Sequence, residues 1–366
     1  MRLSPTLSIY IGRHFMVSFF ALFSLFLMLI VLFDVVELLR RAAARPEISF
    51  GMVMELAFLK LPHMGQKAFP FAVLFGGMAA FWRLTRSQEL VITRSAGVSV
   101  WQFLFPVIVL AFSLGLFQIT VLSPLASTTL ARFERMESAL LRGSKSFLAL
   151  SPNGLWLRQS NAEGQSVVHS RRVLQQGKNV ELRNVVVFLY QGSDAFRGRI
   201  DAEHARLENG FWHMKNAWVH VPEKLPRLEK DFWLATDLTV AKIQDSFAPP
   251  ETMSFWDLPG FIRTLEKAGF SAMRHRLYWH TLLAAPFLMC AMVLIAASFT
   301  LRHARRGGTT FIIASGVLTG FVLYFFSDIV FALGLSDSIP VTLAAWTPSG
   351  VATLLGLATL LHQEDG

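Results

Sequence analysis

Charged residues are scarce in this 366-residue chain, and cysteine is almost absent. Asp, Glu, Lys and Arg together supply 16% of the residues, whereas about a quarter is usual for soluble domains. The single cysteine, Cys290, excludes a disulfide within the chain and a metal site built from several thiolates. Hydrophobic residues make up 53% of the sequence, and 33 of them are Phe. This composition predicts a membrane protein rather than a soluble one.

The net charge of +9 is the second constraint on function. On a soluble domain it would point to nucleic acid, but on a membrane protein it more often reflects basic cytoplasmic loops and anionic lipid head groups. We therefore expect membrane lipids, and no nucleic acid, among the partners. The first apolar run is too long for a cleavable signal peptide, and no small-residue cleavage site follows it before Arg40 and Arg41.

Stretches without charged side chains predict six transmembrane helices. A bilayer core about 30 Å thick needs roughly 20 apolar residues in a helix. Five stretches meet this length outright. The second is interrupted by polar residues and prolines, so we expect a kinked helix whose outer half faces protein or water. The predicted spans are 15–33, 56–82, 101–131, 277–301, 309–327 and 338–361.

The short loops predict the orientation in the membrane. With a cytoplasmic N-terminus, eight arginines lie in the cytoplasmic loops and three on the opposite side, which favours that orientation. Both termini are then expected in the cytoplasm. The eight are Arg2, Arg13, Arg83, Arg86, Arg94, Arg302, Arg305 and Arg306, and the three are Arg40, Arg41 and Arg45.

Residues 132–250 differ from the rest, because charges reappear and apolar runs shorten. Short alternating segments separated by turn residues predict a sandwich or barrel-like all-β domain between the third and fourth spans, on the extracytoplasmic side. The predicted strands are 154–159, 166–174, 181–190, 198–207, 211–221 and 232–241. A linker helix in 251–271, capped by Asp257 and stopped at Gly269, is expected on the membrane surface. Domain bounds are therefore 1–131, 132–250, 251–271 and 272–366.

Patterns for catalysis are missing from the sequence. The segment Gly143-Ser144-Lys145-Ser146 lacks the first glycine and the spacing of a phosphate-binding loop, and there is no H-E-x-x-H. Histidines of the β region lack ligand spacing, so solvated or hydrogen-bonded roles are favoured over a metal site. We expect no catalytic residues, no metal and no cofactor. His280 and Asp328 stay open as single residues of an alternative lipid-modifying enzyme.

Charged residues cluster at one predicted membrane face. Three groups meet there: Asp34, Glu37, Arg40 and Arg41 after the first span, Lys60, His63 and Lys67 in the second, and Arg132 and Arg135 after the third. One interpretation is helix-end snorkelling with local ion pairs. The other is a cationic rim that binds an anionic amphiphile entering sideways from the bilayer, because Arg makes paired hydrogen bonds to phosphate.

The loop between the second and third spans predicts a short amphipathic helix at about 84–97 that ends at Gly97. Its one acid is Glu89. Such a helix fits the groove of a partner protein, or it is an interfacial turn.

Several local sequences are similar to those of the lipopolysaccharide export permeases, the LptF/LptG family. The resemblance covers the whole chain. Tyr10-Ile11-Gly12 and Gly154-Leu155-Trp156 favour the LptG type within it. The other matches are Ser87-Gln88-Glu89-Leu90-Val91, Ser95-Ala96-Gly97 and the segment 334–340.

This resemblance implies a non-catalytic permease subunit in the bacterial inner membrane. It implies a periplasmic jellyroll domain, an LptF-type sister permease, an LptB-type ATPase dimer that binds the ATP, and an LptC-type bridge protein. The substrate would be lipopolysaccharide. The alternatives are the LptF-type role in the same complex and a membrane scaffold that transmits force to the β domain without transporting lipid.

The resemblance also implies residue roles. Glu89 matches the acid that contacts the ATPase, and its neighbours Arg86, Leu90 and Gly97 complete the expected coupling segment. The expected substrate-binding residues are Arg40, Arg41, His63, Lys67, Arg132 and Arg135. Asp34 departs from the pattern, since some members carry a basic residue there and an acid repels phosphate. Either Asp34 pairs with a neighbouring Arg or Lys, or the lipid carries less phosphate or different acids.

Overall fold

A computed structural model describes residues 5–43, 48–95, 97–138, 140, 147–151, 154–161, 164–176, 179–191, 195–208, 210–236, 248–267, 270–300 and 309–364. The chain divides into two compact units. One comprises Met1–Glu137, Glu251–Phe255 and Arg276–Gly366, and the other comprises Ser138–Pro250 and Trp256–His275. Several residues named above lie outside the described ranges: Arg2, Arg45, Gly269, Arg302, Arg305 and Arg306.

The first unit contains the membrane helices. They are α1 (Pro5–Ala42), α2 (Phe50–Arg86), the short α3 (Glu89–Ser95), α4 (Val100–Phe117), α5 (Ser123–Glu137), α7 (Met273–Thr300), α8 (Thr309–Leu335) and α9 (Val341–Glu364). A π-helical turn, Gln118–Leu122, joins α4 to α5, so that Val100–Glu137 forms one span of 38 residues. Six helices in the described residues are long and apolar enough to cross a membrane, which confirms the six predicted spans.

Close helix approach explains why these apolar segments pack together. A Cβ atom on Gly76 of α2 would lie 2.9 Å from the Cα of Phe19 in α1. A Cβ atom on Gly115 of α4 would lie 2.4 Å from the Cα of Pro286 in α7. Since lipid tails are as apolar as Leu, small residues at such crossings supply the van der Waals contact that holds membrane helices together. Stacked and edge-on phenylalanines fill the space beside the first crossing: Phe19, Phe23 and Phe69.

The second unit is built on one antiparallel sheet. Its strands are β1 (Phe147–Ser151), β2 (Gly154–Asn161), β3 (Gly164–Gln176), β4 (Asn179–Gln191), β5 (Ala195–Glu208), β6 (Phe211–His220) and β7 (Arg227–Ala235). Each strand pairs with the next in the chain, and among the described residues β1 and β7 form the open edges. The inserted all-β domain is confirmed, with the strand order of a meander in place of a closed barrel.

One face of the sheet forms the core of this unit. Alternate residues of β5 and β6 are buried, as expected for strands with one covered face. Trp212 and Met214 are completely buried on that face. Helix α6 (Leu258–Lys267) belongs to the same unit and buries Leu258 and Leu265. The predicted sixth strand starts too late, since β7 begins at residue 227 rather than 232, and its predicted end, 237–241, lies outside the described residues.

Candidate functional site

The first ion pair of the charged cluster joins α1 to α2. Lys60 Nζ lies 2.6 Å from Asp34 Oδ1, and these side chains are only 24% and 16% exposed. An acid on its own at membrane depth is costly, and a basic partner removes most of that cost. The expectation that Asp34 pairs with a neighbouring basic residue is confirmed.

A second group of ion pairs joins α1 to α5. Glu37 accepts hydrogen bonds from Arg40 at 2.9 Å and from Arg41 at 2.8 Å, one helical turn away. Arg41 also lies 3.3 Å from Glu137 at the end of α5. The guanidinium groups of both arginines are therefore occupied by carboxylates of this chain.

A third ion pair joins α5 to α2. Arg132 donates to Glu55 at 2.8 Å, with both side chains exposed. Arg135 donates to the carbonyl of Ala131 one turn earlier. These residues and those of the two preceding groups form what we name the charged rim: Asp34, Glu37, Arg40, Arg41, Glu55, Lys60, Arg132, Arg135 and Glu137.

Two of the predicted binding residues lie further along α2. His63 is buried, at 6% exposure. Lys67 is exposed and forms no ion pair with any residue that the structure describes. The three helices thus bring the predicted basic residues together, but they bring carboxylates with them.

An apolar groove of about 240 Å³ lies between α1 and α2. Its lining positions repeat at helical spacing on both helices: Phe26, Leu29, Ile30 and Phe33 on α1, and Ala68, Phe71 and Phe75 on α2. Asp34 follows Phe33 directly, and Lys67 precedes Ala68. The groove therefore continues into the charged rim, an arrangement that matches an amphiphile with an acyl chain and a polar head. Sequence reasoning missed the groove, because its residues sit in runs that are apolar throughout.

The predicted coupling segment is at the other end of α2. The helix expected at 84–97 is instead interrupted: α2 ends at Arg86, Gln88 has a φ of 60°, and α3 covers only Glu89–Ser95. Arg86 therefore belongs to α2, where its guanidinium lies 5.2 Å from the centre of the Trp82 ring. Gly97 follows α3 with a φ of 85°, which only glycine adopts at little cost.

Two side chains anchor α3 to the membrane helices. Leu90 is 4% exposed and packs into the main hydrophobic core. The Glu89 carboxylate lies near the Tyr10 hydroxyl at the start of α1. Sequence reasoning selected Glu89 and Leu90 but missed Tyr10. In the sequence, most of α1 and all of α2 lie between Tyr10 and Glu89.

Comparison with known proteins identifies the family. The sequence model of the family described as lipopolysaccharide export system permease LptF/LptG matches residues 9–362. The chain belongs to the LptF/LptG family. It is 24% identical over 364 residues to the lipopolysaccharide export system permease protein LptG of Escherichia coli K12, covering 97% of this chain and 98% of the relative.

A second relative gives the same assignment within the LptF/LptG family. The LptG protein of Haemophilus influenzae is 24% identical over 353 residues, covering 94% of this chain and 95% of the relative. As an LptF/LptG protein, the chain is a multi-pass membrane permease of the lipopolysaccharide export system.

Proposed function

We propose that this LptF/LptG protein is the LptG-type permease subunit of an ATP-driven transporter. It takes lipopolysaccharide from the inner membrane and passes it to a periplasmic bridge of β domains. The observation that carries this proposal is the groove between α1 and α2, which is apolar along its length and ends at the charged rim. The LptG type is favoured because the relatives with full-length matches carry that name.

The groove and the rim have different tasks in this proposal. An acyl chain gains little free energy on leaving lipid for an apolar groove, because both surroundings exclude water. The groove therefore fixes the position of the lipid, and the polar contacts at the rim supply the selectivity. Our proposed substrate-binding residues remain Arg40, Arg41, His63, Lys67, Arg132 and Arg135. The carboxylates that pair with Arg40, Arg41 and Arg132 lie within the same site.

ATP is bound and hydrolysed by partner subunits in this proposal, and the chain itself is non-catalytic with no cofactor of its own. The short helix α3 docks into an LptB-type ATPase dimer through Glu89, with Arg86, Leu90 and Gly97 holding the segment in place. Arginines of the short loops favour cytoplasmic termini and a periplasmic β domain. The sister permease is LptF-type, and the open edges of the sheet favour strand pairing with an LptC-type bridge protein.

Site-specific photocrosslinking in cells tests the transport proposal. A benzophenone amino acid at Leu29 lies in the groove and is expected to form an adduct with lipopolysaccharide that depends on an active ATPase. The matched control is Leu354 of α9, which is 67% exposed and does not line the groove. Equal adduct yields at the two positions, or no adduct at Leu29, would contradict the proposal.

A further inference from the structure

The charged rim is close to neutral. Among the described residues, its five basic side chains, Arg40, Arg41, Lys60, Arg132 and Arg135, stand against four carboxylates, Asp34, Glu37, Glu55 and Glu137, which leaves one net positive charge. A site built for a doubly phosphorylated ligand gains most from unpaired cations, because the attraction scales with the net charge that the ligand meets. The rim lacks that excess.

The geometry of the ion pairs also disfavours phosphate binding. Lys60 is held by Asp34, Arg40 and Arg41 are held by Glu37, and Arg132 is held by Glu55. A phosphate group approaching any of these cations meets a carboxylate already bound to it. It must displace that carboxylate or accept repulsion from it, and both lower the affinity.

The exposed carboxylates of the rim are hydrogen-bond acceptors that a head group can reach. The side chains of Glu37 and Glu55 are 36% and 44% exposed. Hydroxyl, amide and ammonium groups donate to a carboxylate, and a fully ionised phosphate does not.

Lys67 has a different environment from the other basic residues. It is exposed, forms no ion pair with a described residue, and precedes Ala68 of the groove lining. An anionic group of a lipid lying in the groove would therefore meet, next to the groove lining, a cation that no described carboxylate holds.

We propose that the rim selects a glycolipid whose head group is rich in hydroxyl and amide donors and carries a low negative charge, rather than a doubly phosphorylated one. Glu37 and Glu55 accept hydrogen bonds from the sugar, and Lys67 meets a single anionic group. This inference rests on the proposed function, because it names the form of lipopolysaccharide that the permease takes.

A binding comparison tests the inference with the purified permease complex in nanodiscs. The two probes are lipid A with two phosphates and the same lipid A after enzymatic removal of one. We expect the wild-type complex to bind them within about threefold of each other, because Lys67 meets one anionic group in both, whereas a further unpaired cation would favour the doubly phosphorylated form by about tenfold. A wild-type preference of tenfold or more for the doubly phosphorylated form would overturn the inference.

Two rim variants are tested, so that misfolding of one of them does not decide the outcome. Asp34→Asn removes the negative charge that pairs with Lys60, and Glu55→Gln removes the one that pairs with Arg132. Each variant is therefore expected to raise the preference for the doubly phosphorylated probe severalfold. The control is Glu229→Gln in β7, which removes an acid that faces Arg227 outside the rim. An unchanged preference in both rim variants would overturn the inference while leaving the proposed function intact. Binding of neither probe by the wild-type complex would instead overturn the proposed function, and the inference with it.

Discussion

At the scale of single residues, Glu89 links the proposed ATPase contact to the first membrane helix. It is the first residue of α3, the helix that we propose docks the ATPase, and its carboxylate lies near the Tyr10 hydroxyl of α1. We predict that Glu89→Ala removes both contacts, so the amount of ATPase that co-purifies with the complex falls severalfold. Charge-assisted hydrogen bonds are each worth about 1.5–3 kcal/mol, which is sufficient for that loss. The measurement is ATPase stoichiometry together with transport per ATP hydrolysed.

Two further variants separate docking from transmission at Glu89. Tyr10→Phe removes only the hydroxyl group, so ATPase stoichiometry is expected to stay near the wild-type value while transport per ATP falls. Ser95→Ala, at the exposed end of the same helix, is the control and is expected to change neither quantity. Full ATPase stoichiometry with normal coupled transport in Glu89→Ala would rule out the coupling role of α3.

The basic residues of the rim were predictable from sequence, but two of their four carboxylate partners were not. Arg and Lys at the ends of apolar runs stand out in any hydropathy pattern. The pair Glu37–Arg41 follows from helical spacing. Glu55 and Glu137 do not, since they meet Arg132 and Arg41 across 77 and 96 residues of sequence. Such contacts depend on how three helices pack, which a one-dimensional pattern does not contain.

At the scale of helices and strands, strongly apolar or alternating segments were predicted well. The start of an edge strand and the break between two helices were not. β3 to β6 match their predicted positions because their alternation reflects one buried face. The start of β7, an edge strand among the described residues, was missed because Glu229, Lys230 and Asp231 interrupt its alternation. The break between α2 and α3 was missed because Gln88 adopts a positive φ, which the sequence does not predict for a glutamine.

The crossing of α4 and α7 is the element contact most sensitive to added volume. A Cβ atom on Gly115 would lie 2.4 Å from the backbone of Pro286, so one helix must shift. We predict that Gly115→Ala destabilises the protein by about 1–3 kcal/mol, the usual cost of overpacking. Thermal unfolding of the detergent-purified complex measures the effect, which we expect as a lower Tm.

Gly350→Ala in α9 is the matched control for Gly115→Ala. It makes the same chemical change in a membrane helix, but nothing lies within 4 Å of the added Cβ atom. Because Ala is the better helix former, a small gain of up to about 1 kcal/mol is expected there. A Gly115→Ala variant as stable as Gly350→Ala would show that this crossing is not tightly packed.

At the scale of the whole molecule, the architecture was predictable because the bilayer permits few solutions. Backbone polar groups in lipid must be satisfied within the chain, so apolar runs of sufficient length become helices. The residues between the third and fourth spans carry too much charge for lipid and show strand alternation, which predicts a water-facing β domain. The strand order of that domain could not be predicted from the sequence pattern, because alternation indicates which face is buried but not which strands are neighbours.

The orientation of this architecture in the membrane is the last property that we predict, and it tests every functional assignment at once. In a Cys290→Ala background, a cysteine at Lys224 in the turn before β7 and a cysteine at Ser95 in α3 both lie at exposed positions. A membrane-impermeant maleimide applied to intact spheroplasts should label position 224 and leave position 95 unlabelled until the membrane is permeabilised. The arginines of the short loops are the physical reason, since they favour the cytoplasmic side. The opposite labelling pattern would place α3 outside the cell's ATP pool and the sheet inside it, and neither ATPase docking at Glu89 nor delivery to a periplasmic bridge would then be possible.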